Sequence, residues 1–183
     1  MKRLLTLLTL LGLAFTVNAQ KAVFVKLPTY TKRLAYYKEN NNTQKVLQLQ
    51  QDVDSITTYI IGDFTKHFAY GPVYYFYDTM LEQLKEGQLN KVLINANGTP
   101  VAPDAIEAIG NKYIVVQYTL SDHDATQGMW RLLTYYPNME RLELSVRTRA
   151  AEDTYYSPIF KIGYRGSARE LSKKLTKSLD PWN

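Results

Sequence analysis

The sequence predicts an α/β fold: a mixed β-sheet with a parallel core and an antiparallel hairpin, with helices on both faces. Three observations predict it. Residues 44–68 place apolar side chains at helical spacing, and short β-branched or aromatic runs precede and follow them. That alternation is the pattern of parallel strands joined by helices. In the second half, two strand-like runs flank the polar stretch "PNME", which reads as a hairpin with one of the longer loops.

The first element precedes the folded domain. "MKRLLTLLTLLGLAFTVNAQ" opens with Lys2 and Arg3, continues with an apolar run over residues 4–17, and reaches the small Ala19. A charged start, an apolar middle and a small-residue cleavage site describe a secretory signal peptide. The run is shorter than the roughly 20 residues a membrane-spanning helix needs. The expectation is a signal peptide over residues 1–19 and a single globular α/β domain over residues 20–183. That domain would be secreted or periplasmic, with no membrane span after cleavage.

The domain begins with a short strand at residues 23–27, ended or held to an edge by Pro28. "ENNNT" follows as a loop, with Asn42 or Thr43 as helix cap. From Gln44 the residues Val46, Leu49, Val53, Ile56, Ile60 and Phe64 form one apolar stripe, and Gln48, Gln51, Asp52 and Lys66 lie off it, mostly on the wet side. This helix stops before Gly71 and Pro72. "PVYYFY" then reads as a strand covered on both faces, because its apolar residues run on without alternation. Its tyrosines are assigned to packing, with Tyr74 and Phe76 on one face and Tyr75 and Tyr77 on the other.

Asp78 suits an N-cap for a short helix carrying Met80, Leu81 and Leu84, and Gly87 stops it. Residues 92–95 are the next strand candidate, and Asn97-Gly98 marks a turn. Residues 104–109 form a helical turn. "YIVVQYTL", residues 113–120, is the strongest strand. The polar loop "SDHDATQG" follows it. Residues 129–136 and 142–148 make the hairpin, and "PIFKIGY" is one more strand candidate. A last helix starts at Ser167 and carries Ala168, Leu171, Leu175 and Leu179, with Pro181 beyond it. The order is similar to thioredoxin-like or Rossmann-like layering. Where thioredoxin-like chains carry two cysteines, this one reads "YDTM", so that chemistry is not expected here.

Composition narrows the function. Cysteine is absent, which excludes thiol redox catalysis and lipid attachment through a cysteine, and leaves the core to stabilise the fold alone. The formal charge of +5 falls to +3 when Lys2 and Arg3 are removed, and the remaining basic residues are scattered. A nucleic-acid binder concentrates them on one face, so no nucleic acid is expected. No G-x-S-x-G, P-loop or dinucleotide motif occurs, and no cofactor or metal is expected. In "GYRGSAREL", Ser167 reads as a plain helix cap, with Arg165 and Arg169 near enough to make a phosphate at the backbone amides the alternative.

Of the two histidines, His67 reads as a cation at a helix end, and His123 is the residue to test for chemistry because Asp122 and Asp124 flank it. In open α/β sheets, ligands gather at the carboxyl ends of the parallel strands. The three strand ends lead into Asp78, into Asn95 and Asn97, and into Asp122 and His123. These five residues are the candidate ligand-binding rim. The expected function is non-catalytic binding of a small molecule, a glycan or an envelope protein, favoured by 15 tyrosines and two tryptophans. The alternatives are a hydrolase using Asp78, Asp122 and His123, and a structural or assembly component of the envelope.

Overall fold

The computed structural model describes residues 21–120, 130–146, 155–156, 161–162 and 167–177. The expected signal peptide, the loop with Asp122, His123 and Asp124, and Arg165, Leu179 and Pro181 lie outside the described residues. No helix among the described residues is long and apolar enough to cross a membrane.

The fold is α/β, with a mixed five-stranded sheet. Its strands are β1 (Ala22–Leu27), β2 (Val73–Tyr77), β3 (Tyr113–Leu120), β4 (Trp130–Tyr135) and β5 (Arg141–Val146), in the order β2-β1-β3-β4-β5. β1 is parallel to both β2 and β3, while β4 runs antiparallel to β3 and β5 to β4. Two-residue strands β6 (Tyr155–Tyr156) and β7 (Lys161–Ile162) pair separately.

Helices α1 (Thr31–Glu39) and α2 (Thr43–His67) connect β1 to β2. α3 (Leu81–Lys85), α4 (Leu89–Val92) and α5 (Pro103–Ile109) connect β2 to β3, and α6 (Ser167–Lys177) closes the described chain. From β1 the chain moves one way across the sheet to β2, then back past β1 to β3. Two right-handed crossovers in opposite directions must lie on opposite faces, and the connections do. On one face, Val23, Val25, Leu27, Tyr75, Ile114 and Val116 pack against Ile56, Ile60 and Phe64 of α2 and Leu171 and Leu175 of α6. On the other, Phe24, Phe76, Tyr113 and Val115 pack against Leu84, Leu89, Val92 and Ile109.

The long helix follows its stripe. Leu49, Ile56, Ile60 and Phe64 are fully buried, and the Asn42 side chain caps the start by accepting from the Lys45 N–H at 3.1 Å. Asp52 is corrected: it is only 7% exposed. It stands three residues after Leu49 and four before Ile56, so its position belongs to the buried stripe rather than the wet side. Asp63 is equally buried, and its Oδ2 accepts from the Ala168 N–H at 3.1 Å, fixing the start of α6 across the chain.

The tyrosine strand is structural along most of its length. Tyr75 and Phe76 are buried and face opposite ways, Tyr74 meets Phe24 edge to face at 6.2 Å, and only Tyr77, at 40%, is substantially exposed. One further expectation is corrected, and one helix has no counterpart in the sequence reading. Residues 92–95 are not a strand: α4 ends at Val92 and only Ile94 pairs, antiparallel to Tyr75 and to Pro100. An apolar run this short cannot separate a buried helix end from a strand. The stretch 31–39 is helical although it buries no residue, so the sequence offers no apolar stripe to reveal it.

Candidate functional site

Leu27 and Tyr77 form the last register pair between β1 and β2. The next residues therefore meet at the carboxyl rim of the sheet. Thr29 Oγ1 donates to Asp78 Oδ1 at 2.5 Å. This is why Asp78 does not cap the following helical turn: Asp78 is itself the first residue of a short 3-10 turn, and its carboxylate is held by the neighbouring strand end. Tyr30 then turns the chain into α1 with φ 52 and ψ 31. That left-handed conformation costs a non-glycine residue on the order of 1–3 kcal/mol, and such strain clusters at functional sites.

The turn brings Tyr30 over the rim and sets Arg33 Cζ 5.9 Å from the Tyr30 ring centroid, a cation–π contact. Tyr30, Thr31, Lys32, Arg33, Asp78 and Thr79 line a cavity of about 420 Å³, a size typical of small-molecule sites. Burial pushes the Tyr30 phenol up to about 12; Arg33 pulls against that rise and Asp78 adds to it. The phenol is therefore a neutral hydroxyl at physiological pH.

Behind Asp78 runs a polar row on the face otherwise occupied by Phe24 and Val115. Lys26 Nζ donates to Gln117 Oε1 at 2.5 Å, and Gln117 Nε2 donates to the Tyr135 hydroxyl at 2.5 Å. Burial lowers the Lys26 ammonium from its ordinary value, while the Asp78 charge opposes that shift. A charge at this depth is favoured when hydrogen bonds and a nearby opposite charge compensate its lost hydration. The row links β1, β3 and β4.

Of the five expected rim residues, Asp78 lies at this site. Asn95 and Asn97 do not join it. Ile94 runs antiparallel to Tyr75, so the residues after it head for the opposite end of β2. Asn95 is occupied there: its Oδ1 accepts from the N–H groups of Asn97 and Thr99, and its Nδ2 donates to Thr99 Oγ1. This local bonding is the turn chemistry of asparagine. Asp122 and His123 follow β3 and lie outside the described residues.

Sequence reasoning missed Lys26, Thr29, Tyr30, Lys32, Arg33 and Gln117. A signal for two of them exists. Lys26 is the lone charge in "AVFVKL", and Gln117 is the internal polar interruption of "YIVVQYTL" nearest its middle. A lone polar residue in a buried strand needs a partner, and each supplies the other's. Among the described residues, no three of His, Cys, Asp and Glu come together in a way that could hold a metal ion. No protein-family model, no curated protein and no solved structure matches the chain.

Proposed function

We propose that this chain is an exported, non-catalytic protein that binds a small polar ligand at the carboxyl ends of β1 and β2. The observation that carries the reading is the cavity bounded by Asp78, Tyr30 and Arg33, with a strained Tyr30 backbone and a hydrogen-bonded Asp78 forming its walls. Site residues held in place before a ligand arrives lower the ordering cost of binding. The position also agrees with the rule for open α/β sheets, since the strand order reverses at β1. Export is supported by the leader pattern of residues 1–19.

A melting-temperature screen of the secreted chain against a small-molecule library tests the binding reading. A ligand should raise the melting temperature, since any compound binding only the folded state stabilises it by mass action. Thr79→Trp should abolish that rise without lowering the melting temperature of the free protein, because Thr79 is an exposed wall residue. An undiminished rise in Thr79→Trp would remove the cavity from the proposal. Intact mass tests export: retention of residues 1–19 in the secreted chain would overturn cleavage.

A further inference from the structure

Resting on the binding reading above, we infer that the ligand is an acidic saccharide: a hydroxyl-bearing ring that also carries a carboxylate. The cavity lining is chemically mixed, and the mixture is selective. Lys32 and Arg33 contribute two cations against the single carboxylate of Asp78. A neutral sugar would leave this positive excess unmatched. A simple anion would meet the Asp78 carboxylate on the same wall and would bring no hydroxyl to satisfy it. A sugar acid answers both: its carboxylate takes the guanidinium, the stronger and more directional of the two cationic partners, and its hydroxyls donate to Asp78.

Asp78 is arranged for that second role. Its Oδ1 already accepts from Thr29, which fixes the carboxylate's orientation at the cavity wall. Thr31 and Thr79 add hydroxyls that both donate and accept, and Tyr30 adds a ring and a neutral phenol. Arg33 lies over the Tyr30 ring, so the cation and the aromatic surface are presented together. Lys26 stands behind Asp78, close enough to feel its charge, and offsets the cost of a carboxylate facing an anionic ligand.

Calorimetric titrations at constant ionic strength with three probes test this: D-glucuronate, D-glucose and acetate. D-glucuronate should bind at least about tenfold more tightly than either of the others, a gap of roughly 1.4 kcal/mol. Arg33→Gln should weaken D-glucuronate about tenfold and leave D-glucose unchanged. Asp78→Asn keeps an acceptor for Thr29 but loses the carboxylate, and should weaken D-glucuronate and D-glucose while leaving acetate no weaker.

Three results overturn the inference. They are acetate matching D-glucuronate, D-glucose matching it, and no heat from D-glucuronate at about 10 mM, a concentration that detects even millimolar affinity. If D-glucuronate fails while a compound from the library screen still raises the melting temperature in a Thr79-dependent way, the saccharide assignment falls and the binding reading stands. If both fail, both fall. Arg33 is exposed, so Arg33→Gln does not disturb the core that folds the chain.

Discussion

Tyr30 is the residue whose chemistry and backbone are both displaced from the ordinary. Its phenol is raised to about 12 against a reference of 10.0, and burial raises Tyr74, Tyr75 and Tyr113 in the same direction. The unfolded chain ionises these phenols first as pH climbs. Their contribution to stability is therefore intact below pH 10 and is lost as pH rises from 10 toward 12. Lys26 acts with the opposite sign, since its lowered ammonium releases a proton from the folded state first. The tyrosines outnumber it, so the urea midpoint should fall between about pH 10 and about pH 12; a flat or rising midpoint there would contradict the desolvation of these rings. Gly71 gives a second residue-scale prediction. A Cβ there would stand 2.5 Å from the Lys21 carbonyl oxygen, which is backbone and cannot swing away. Gly71→Ala should therefore cost about 1–3 kcal/mol through overpacking, whereas Gly62→Ala meets nothing within 4 Å and should be neutral or stabilising. Paired denaturant midpoints for the two variants measure this directly.

Among the elements, α2 combines a side-chain cap, a buried stripe and a tertiary capping role. The Asn42 cap accepts from the Lys45 N–H, so Asn42→Ala should cost about 1 kcal/mol. Ile56 is 1% exposed between the helix and the sheet, and Ile56→Ala should cost about 2–5 kcal/mol. Ile56→Asp places an uncompensated charge there and should leave no cooperative thermal transition. A preserved transition in Ile56→Asp would mean that the stripe does not face the sheet. The last turns of α2 and the residues just after it also hold a distant element, because Asp63 accepts from the Ala168 N–H and Ser172 Oγ accepts from the Ala69 N–H at 3.2 Å. Asp63→Ala strands a buried donor, which costs about 1–3 kcal/mol. Its effect should concentrate in α6, read as faster amide exchange over residues 167–177 relative to β1.

At the scale of the whole molecule, the reversal of strand order at β1 sets where the proposed binding rim lies. The β1–β2 crossover covers one face and the β2–β3 crossover the other, and the start of the first, Tyr30 to Arg33, forms part of the rim at the carboxyl ends. Asp78, Thr29 and Tyr30 collect at that rim from two separate strand exits. Lys26, Gln117 and Tyr135 support it from three strands, and their hydrogen bonds join residues up to 91 positions apart. Binding at this rim should consequently be sensitive to a change one layer back. Lys26→Met should keep the fold, since the long apolar side chain suits a half-buried position, and should weaken any anionic ligand more than a neutral one. Equal loss for both classes, measured with D-glucuronate and D-glucose, would point to a packing role for Lys26 instead of an electrostatic one.

The α/β class, β1, the long helix, β2, α3, α5, β3, the hairpin and α6 were legible in the sequence. Each rests on a local property: an apolar repeat near 3.6 residues, a run of β-branched and aromatic residues, or a turn residue at a fixed place. The tertiary structure alone decided the rest. α1 has no buried face, so no periodicity announces it. Asp52 and Asp63 sit on a stripe that was read only through its apolar members, although helix geometry buries a position whatever its chemistry. The rim divides in the same way. Asp78 follows a strand, so its place at a carboxyl end could be read locally. Asn95 and Asn97 went to the opposite end because chain direction at Ile94 is fixed by pairing with Tyr75, a long-range contact. Thr29, Tyr30 and Gln117 became neighbours of Asp78 and Lys26 through strand register. Register is set by which faces bury the most apolar surface together, a property of the assembled sheet that no single stretch of the chain contains.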